Sequence, residues 1–235
     1  MASRDKFETY KNVFDEKTRL TLFKLSSDGY FDELKSPISI GKESNVFSAA
    51  KKDGSIVCVK IYRVNVCDFK KMYNYIAPDP RFKGLQKKRR QIIYAWAQRE
   101  YRNLLIAKKT GARVPFPYAV RNNVLVMEFI GDNKAAPRLK DKTPEDLEGF
   151  MKELINNIKI IYKSGLIHGD LSEYNILNYK EKPVIIDLSH GFKVEYPNAD
   201  ELLIRDIKNL EKYFLKRRIK IDAEKILSMI KENGI

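Results

Sequence analysis

Three residues with oxygen donors lie at short spacing in the second half of the sequence. Asp170 follows His168 and Gly169, Asn175 comes five residues later, and Asp187 ends a second apolar run. Transfer of a γ-phosphoryl group needs a carboxylate that orients the attacking hydroxyl and accepts its proton. It also needs hard oxygen ligands that hold Mg²⁺ on a triphosphate. Asp170 suits the first task, and Asn175 and Asp187 suit the second.

Each aspartate also has a plain structural explanation, because Asp170 can close a turn and Asp187 can cap the end of a strand. The complete pattern is His-x-Asp, an asparagine at a fixed offset, a hairpin and a second aspartate after an apolar strand, and chance rarely produces it. It is the order of a kinase-type catalytic loop. We predict that His168 organises this loop rather than acting as a base.

A lysine and a glutamate far apart in the sequence each stand where an apolar residue is expected. Lys60 interrupts the alternating run Ile56–Tyr62, and Glu100 lies on the apolar stripe of a predicted helix over residues 86–109. An inward carboxylate is costly unless a cation meets it, and a strand lysine alone is usually an exposed edge residue. An ion pair explains both positions, and it places the Lys60 ammonium to bind α- and β-phosphates.

The turn before the Lys60 strand is a candidate phosphate-binding loop. It has one glycine rather than several, and no helix follows it, so it is not a Walker A sequence. A plain hairpin turn is the alternative, but the position before Lys60 favours nucleotide binding. The candidate residues of this loop are Gly41, Lys42, Glu43, Ser44, Asn45 and Val46.

A further nucleotide contact is predicted where the strand over residues 124–130 runs into a linker. In kinases the main chain of such a segment binds adenine. We therefore expect carbonyl and amide groups of Glu128 and Ile130, with Met127 beside them, rather than their side chains. An ordinary core strand is compatible with the same role.

The remaining pattern predicts a strand-rich first part and a mainly helical second part. Predicted strands cover residues 37–50, 55–63, 112–121 and 124–130, with hairpin turns at Asp53-Gly54 and Asn122-Asn123. Predicted helices cover residues 7–25, 86–109, 143–165, 200–217 and 222–233, and a strand pair with a Lys-Pro turn covers residues 175–187. The candidate caps are Thr143, with Pro144 in the first turn, Asp200 and Asp222, and Gly165 ends one helix.

Composition limits the class of protein. The 235 residues can bury a sizeable core, and the 45 basic residues give a net charge of +14 against 31 acidic ones. This surplus favours a polyanionic partner such as ribosomal RNA, although solubilising lysines explain it equally well. There is no apolar run long enough to cross a membrane, the first residues are polar, and the two cysteines form no framework. We therefore expect a soluble, cytoplasmic protein without a zinc site.

Taken together, these residues resemble the RIO family of atypical protein kinases, most closely its first subgroup. The resemblance extends over about the whole chain, through residues 41–47, 59–63, 79–82, 96–100, 168–175 and 186–189, and residues 196–199 are typical of the first subgroup. It implies an α+β, bilobal, protein-kinase-like fold. The expected parts are a helical extension over residues 1–35, a strand-rich N-lobe with one long helix over 36–130, and a mainly helical C-lobe over 131–235.

The resemblance also implies an activity. ATP with Mg²⁺ or Mn²⁺ are the implied cofactors, and the implied functions are serine/threonine kinase and ATPase activity, autophosphorylation, and maturation of the small ribosomal subunit. The implied partners are the pre-small ribosomal subunit and its rRNA, and Asp187 is implied as the acceptor of an aspartyl-phosphate.

The chain departs from ordinary protein kinases after Asp187, because only a short segment precedes the predicted helix near Asp200. No activation loop or peptide-docking subdomain fits there. Residues 64–88 are instead expected to supply a flexible element near the nucleotide. The basic run at 87–90 either contacts RNA or begins a solvated helix.

Two other functions share part of this pattern. A small-molecule phosphotransferase of the aminoglycoside or choline kinase sort has the same order of catalytic residues, but it usually adds a helical insertion with acidic residues, and none is evident. A non-catalytic assembly factor could use a kinase fold as a scaffold. Retention of Lys60, Asp170, Asn175 and Asp187 together argues against that role.

Overall fold

Residues 14–64 and 69–232 are described by the computed structural model, and the chain divides into two units. The first unit comprises Met1–Tyr101 and Phe116–Phe129, and the second comprises Arg102–Pro115 and Ile130–Ile235. Most strand residues lie in the first unit and most helix residues in the second. The predicted α+β class is therefore confirmed.

The first unit is built on a five-stranded antiparallel sheet in the order β1-β2-β3-β5-β4. Its strands are β1 (Glu33–Ile40), β2 (Ser44–Ala50), β3 (Ile56–Tyr62), β4 (Pro117–Arg121) and β5 (Val124–Glu128). Both predicted hairpins are present, since Ala50 pairs with Ile56 and Arg121 pairs with Val124. Asn122 adopts a φ of 52° in the second turn, a conformation that asparagine tolerates better than most residues.

Among the described residues of the first unit, three α-helices begin: α1 (Glu16–Ser27), α2 (Phe69–Ile76) and α3 (Arg89–Lys109), and α3 continues into the second unit. Asp15 caps α1 by accepting a hydrogen bond from the Thr18 amide. The predicted N-terminal helix over residues 7–25 is confirmed from Glu16 onward. Residues 7–13 lie outside the described part of the chain, and Phe14 and Asp15 precede the helix, so the prediction is wrong for these two residues.

Strand β3 is covered on both faces, as its alternation requires. Val59 and Ile61 pack in one core with Leu22 of α1. Tyr62 packs in a second core with Trp96 of α3. Because side chains alternate along a strand, residue 60 falls on the same face as Tyr62.

Residues 69–88 hold α2 and a single 3₁₀ turn, Pro80–Phe82, which a buried charge cluster ties to α3. Asp79 caps the 3₁₀ turn and forms an ion pair with Arg81 at 2.6 Å. Its carboxylate also lies 3.7 Å from Arg99 of α3, whose guanidinium donates to the Tyr75 carbonyl at 3.0 Å. These contacts tie residues 69–88 to α3. Residues 65–68 of the element that was expected to be flexible lie outside the described residues, and its flexibility stays a prediction.

The basic run at 87–90 contacts its own unit. Arg90 forms an ion pair with Asp15 at 2.9 Å, and Arg89 lies 4.9 Å from the centre of the Phe69 ring. Lys87 lies over a tyrosine ring of α2 in the same way. Three of the four basic side chains thus have internal partners.

The second unit consists of helices with two small strand pairs. Its elements are α4 (Leu147–Lys163), β6 (Leu166–Ile167), β7 (Ile176–Tyr179), β8 (Lys182–Ile185), β9 (Phe192–Lys193), α5 (Ala199–Leu215) and α6 (Ala223–Lys231). Strands β6 and β9 pair antiparallel, as do β7 and β8. Among the described residues, no helix is both long and apolar enough to cross a bilayer.

Two of the predicted helix caps are wrong. Helix α4 begins after Asp146 rather than after Thr143, because the Asp146 carboxylate accepts a hydrogen bond from Gly149 N at 2.8 Å. Asp200 lies inside the first turn of α5 and forms an ion pair with Lys231 of α6. Several polar residues near each helix start are able to cap the helix, and the amino-acid sequence alone does not show which of them does.

Other predicted boundaries hold or shift slightly. Asp222 caps α6 by accepting from Lys225 N, and Gly165 follows the end of α4 with a φ of 79°. The turn between β7 and β8 lies at Lys180 and Glu181, which both have positive φ, so the predicted Lys-Pro turn is wrong. Lys182 and Pro183 instead begin β8, where Pro183 is tolerated in a strand of a two-stranded sheet.

Candidate active site

A buried lysine–glutamate pair is the centre of the first unit. The Nζ of Lys60 lies 3.0 Å from Oε1 of Glu100, and these residues are 4% and 0% exposed. Lys60 is on β3 and Glu100 is on α3, so the pair joins the sheet to the long helix. The ion pair predicted from the sequence is present.

Tyr62 completes this pair, and the sequence analysis did not single it out. Its hydroxyl donates to Oε2 of Glu100, and its ring centre lies 5.1 Å from the Lys60 ammonium. Both oxygens of Glu100 therefore have partners, which a buried carboxylate requires. The signal was available, because residues two apart on a strand share a face.

Replacing Tyr62 with phenylalanine is expected to lower the free energy of unfolding by about 1–3 kcal/mol, because one oxygen of the buried Glu100 carboxylate loses its donor. Urea denaturation measures this change. The matched control is Tyr118→Phe, since Tyr118 is 37% exposed and water can satisfy its neighbours. Equal losses in the two variants would contradict the role given to the Tyr62 hydroxyl.

Cys58 lies two residues before Lys60 on the same strand. Burial raises the pKa of its thiol to about 12, while the charge of Lys60 lowers it and that of Glu100 raises it. The side chain is thus a neutral thiol at physiological pH. Cys67 lies outside the described residues.

The candidate phosphate loop forms the turn between β1 and β2. Gly41 N donates to Ser44 O at 2.9 Å, and residues 41–43 are exposed. Arg63 braces the turn, because its amide donates to Glu43 O and its guanidinium donates to Gly41 O. Lys42 sits at the exposed tip.

The two candidate residues that follow on β2 face opposite sides of the sheet. Val46 pairs with Lys60 and shares its face, whereas Asn45 pairs with Ile61. The Asn45 side chain is 6% exposed and lies on the face that packs against α1. Any contact of Asn45 with a ligand near Lys60 must therefore come from its backbone.

The predicted adenine-binding segment occupies the end of β5. The Glu128 carboxylate accepts from Phe116 N at 3.0 Å, so this side chain is used within the sheet. Met127 is buried and pairs with Cys58. In the second unit, Ile130 O accepts a hydrogen bond from Ala136 N at 2.9 Å. We therefore expect the Ile130 amide, rather than its carbonyl, to contact adenine.

The candidate catalytic-loop residues of the second unit lie between β6 and β7. Asp170 is exposed, and its carbonyl accepts from Nδ2 of Asn175 at 2.9 Å. This bond fixes the side-chain amide of Asn175, so that its Oδ1 points away from the Asp170 carbonyl. Asn175 O also accepts from Ile186 N at 3.0 Å, which brings the start of the Asp187 turn beside the loop.

His168 is a structural residue in this arrangement. Its Nδ1 accepts from Asp170 N at 3.3 Å, and its Nε2 lies 2.9 Å from Ile186 O. A carbonyl only accepts, so this network assigns the neutral tautomer with hydrogen on Nε2. The prediction that His168 organises the loop agrees with this geometry.

Asp206 of α5 anchors the loop, and the sequence analysis missed it. The residue is 1% exposed, and its carboxylate accepts from Gly169 N at 2.7 Å and from Leu171 N at 2.9 Å. Arg205 donates to the Gly169 carbonyl, and Asn209 donates to the Leu171 carbonyl at 3.2 Å. One helix thus holds the backbone on both sides of Asp170.

Asp187 follows β8 in a left-handed conformation, with φ of 62° and ψ of 63°. Its Oδ1 accepts from Ser189 Oγ at 2.7 Å. The turn after it is tied to α3, because Nδ2 of Asn103 donates to Leu188 O at 2.9 Å and to Gly191 O at 3.1 Å. Asn103 is the other site residue that the sequence analysis missed.

Gly169 is required for the loop to meet this turn. Its φ is 75°, and a Cβ there would lie 2.8 Å from His190 O. Any larger residue would have to push the 188–191 turn away.

The donor set fits Mg²⁺. The Oδ1 of Asn175 and the Asp187 carboxylate are hard oxygen ligands, and Mg²⁺ in kinases is usually held by one or two protein groups together with phosphate oxygens. The same donors suit Mn²⁺. Bound there, the ion would neutralise charge on the phosphates.

The pKa values of two buried aspartates, Asp206 and Asp79, are shifted in opposite directions. Burial raises the pKa of Asp206 above its ordinary value of 3.8, although His168, two backbone amides and Arg205 act against it. Burial also acts to raise the pKa of Asp79, but hydrogen bonds and charge from Arg81, with Arg99, lower it below that value.

We therefore expect carboxyl ¹³C titration by NMR to place Asp206 above 3.8 and Asp79 below it. The free energy of unfolding of the unaltered chain, measured relative to that of Asp206→Asn, should fall as pH rises from 3.8 through the folded pKa of Asp206. The reason is that the Asp206 carboxyl loses its proton at a lower pH in the unfolded chain than in the folded chain. The Asp79 contribution is present above 3.8 and should disappear as pH falls through its folded pKa. Shifts in the same direction for both residues would contradict this assignment.

Comparison with known proteins agrees with this geometry. The RIO domain family model matches residues 45–226. The chain is 39% identical to the RIO-type serine/threonine-protein kinase Rio1 of Haloferax volcanii over 228 residues, covering 96% of this chain and 78% of that protein. The chain belongs to the RIO family of serine/threonine-protein kinases. The Rio1 kinase of Methanocaldococcus jannaschii is 42% identical over 214 residues, which cover 90% of this chain and 73% of the relative.

Solved structures of the RIO family share the fold. The Rio2 kinase from Chaetomium thermophilum, crystallised as an ADP/Mg²⁺-phosphoaspartate complex, superposes with a TM-score of 0.68 at 23% identity. The match covers 87% of this chain and 62% of that chain. The predicted kinase-like fold and the predicted first RIO subgroup are both confirmed.

Proposed function

We propose that this RIO-family chain transfers the γ-phosphoryl group of ATP with Mg²⁺, and that Lys60, Glu100, Asp170, Asn175 and Asp187 carry the reaction. The observation that carries the proposal is the catalytic loop, in which the Asn175–Asp170 hydrogen bond and the two Asp206 contacts fix the backbone that carries the exposed Asp170 side chain. Phosphoryl transfer requires such preorganisation, because enzymes catalyse this reaction mainly by positioning the reactants and stabilising charge.

Asp170 orients the attacking hydroxyl and accepts its proton. It is exposed, so an acceptor can reach it, while its backbone is held by α5 on either side. A positioned general base of this kind typically contributes about 10²- to 10⁴-fold in rate.

Lys60 binds α- and β-phosphate oxygens, and Glu100 with Tyr62 holds its ammonium in place. The segment Gly41–Val46, which spans the β1–β2 turn and the start of β2, binds the phosphates through its main chain. Glu128 and Ile130 offer main-chain groups to adenine. Asn175 and Asp187 hold the metal, with one Asp187 oxygen fixed by Ser189.

ATP hydrolysis through an aspartyl-phosphate on Asp187 is the finer form of this proposal. The Rio2 kinase of the same fold has been crystallised with ADP, Mg²⁺ and a phosphoaspartate, which supports this form. Autophosphorylation is proposed from the same family membership.

Maturation of the small ribosomal subunit is the proposed cellular role, with the pre-small subunit and its rRNA as partners in the cytoplasm. The net charge of +14 supports a polyanionic partner. Neither a small-molecule phosphotransferase nor a scaffold without turnover is favoured by a specific contact.

The test is turnover of γ-labelled ATP with Mg²⁺ by the purified chain, alone and with small ribosomal subunits. The proposal expects phosphate release that subunits stimulate and that Asp170→Ala and Asp187→Ala lose. Nucleotide binding without turnover under every condition would make the chain a scaffold. Turnover that subunits never change would remove the ribosomal role and leave the kinase chemistry.

A further inference from the structure

An open groove of about 520 Å³ lies in the first unit, lined by α1, α3 and the β4–β5 turn. None of its lining residues belongs to the candidate active site. Three of them are cations, namely Lys17, Lys24 and Arg121, and two are aromatic, Phe23 and Tyr94. None of the described residues that line the groove is acidic.

The cations of the groove are spread along α1 rather than clustered. Lys17, Leu20 and Lys24 are spaced i, i+3 and i+7, so they share one helix face, and Leu20 is 46% exposed. Lys17 and Lys24 are about 10 Å apart along the helix axis. A single phosphate cannot contact both, whereas a chain of phosphates can.

Acidic neighbours do not cancel this charge. Lys24 forms an ion pair with Asp28 at 2.9 Å, but both side chains are solvent-accessible, so the pair is weak and easily exchanged for another anion. Asp15 is already paired with Arg90.

Contacts with neighbouring residues restrict the positions of the two aromatic side chains. Phe23 packs against the sheet core and is only partly buried. Tyr94 is half-buried, and its hydroxyl interacts with Arg90, which Asp15 fixes in turn. Partly exposed rings in a groove that also carries cations suit stacking of unpaired bases, which is how proteins bind single strands without reading their sequence. A duplex keeps its base faces hidden.

We propose that this groove binds single-stranded nucleic acid, with phosphates on Lys17, Lys24 and Arg121 and bases on Phe23 and Tyr94. The net charge of +14 supports a polyanion, and the rings favour bases over an acidic peptide. The proposal does not depend on the catalytic one, because the two sites share no residue.

The test is fluorescence anisotropy of a labelled uridine decamer with the full chain at several KCl concentrations. The double variant Lys17→Glu with Arg121→Glu is compared with Lys152→Glu plus Lys163→Glu, which makes the same charge change on exposed positions of α4. The groove variant should bind at least about ten-fold more weakly. Its log–log salt slope should shrink by about 1.4, because two phosphate contacts are lost at about 0.7 each.

Three results would overturn the proposal: no binding by the unaltered chain, equal weakening in the α4 control, or equal competition by polyglutamate or by an RNA duplex. Circular dichroism checks folding, and Lys24→Gln against Lys152→Gln provides a milder pair if a double variant unfolds. ATP turnover should be unchanged in the groove variants, so failure here is distinguishable from failure of the catalytic proposal.

Discussion

Asp170→Asn is expected to reduce the rate of phosphoryl transfer by about 10²- to 10⁴-fold while ATP still binds. Asparagine keeps the size of the side chain but cannot accept the proton of the attacking hydroxyl. The backbone at this position is fixed by Asp206 and Asn175, so the loop should keep its shape. Steady-state turnover gives the rate, and fluorescent-nucleotide titration gives the affinity.

The control for this variant is Asp141→Asn in the same unit. Asp141 is an exposed aspartate whose carboxylate pairs with its neighbour Lys140. Turnover by Asp141→Asn should match the unaltered chain. If Asp170→Asn turned over ATP at an undiminished rate, Asp170 would be a turn residue and not the base.

Glu100→Gln is expected to lower the free energy of unfolding by about 3–5 kcal/mol, because it leaves the buried Lys60 ammonium without its counter-charge. For a chain of this size the melting temperature should fall on the order of 10 °C. Turnover should fall as well, since the Lys60 ammonium would no longer be held in one position. Thermal unfolding and turnover on the same sample check both effects.

Glu33→Gln is the matched control, because Glu33 pairs with Lys35 at 2.7 Å but both side chains are more than half exposed. Exposed pairs of this kind contribute little, so the melting temperature should be nearly unchanged. Equal shifts in the two variants would show that the Lys60–Glu100 pair behaves as a surface pair.

The parts of the site that could be predicted are those with a local signature. Asp170 and Asn175 lie in one short loop, and Asp187 follows the next hairpin, so their spacing survives in the linear order. Lys60 and Glu100 are distant in sequence, but each is a charged residue in an otherwise apolar pattern. The two positions together therefore predicted the ion pair.

The missed residues act through contacts that bring distant segments together. Asp206 reaches Gly169 across 37 positions, and Asn103 reaches Leu188 across 85. Asp206 nevertheless lies on the buried stripe of α5 between Leu203 and Ile207. Asp206 is thus an inward carboxylate like Glu100, and its position likewise indicates buried donors that meet it.

The wrong caps have a different origin. Thr143 and Asp146 both have side chains that can cap α4, and the choice depends on where the preceding loop delivers the chain. The same holds for Asp200, whose ion pair with Lys231 exists only because α6 packs beside α5. Such boundaries are decided by tertiary contacts.

The central claim is that Asp187 and Asn175 hold the metal on which turnover depends. Its most direct test is single-turnover release of phosphate from γ-labelled ATP across a Mg²⁺ titration, with the unaltered chain and Asp187→Asn. We expect metal-dependent release from the unaltered chain, and none from Asp187→Asn at any Mg²⁺ concentration in the titration. Release by Asp187→Asn with the same Mg²⁺ dependence as the unaltered chain would contradict the account.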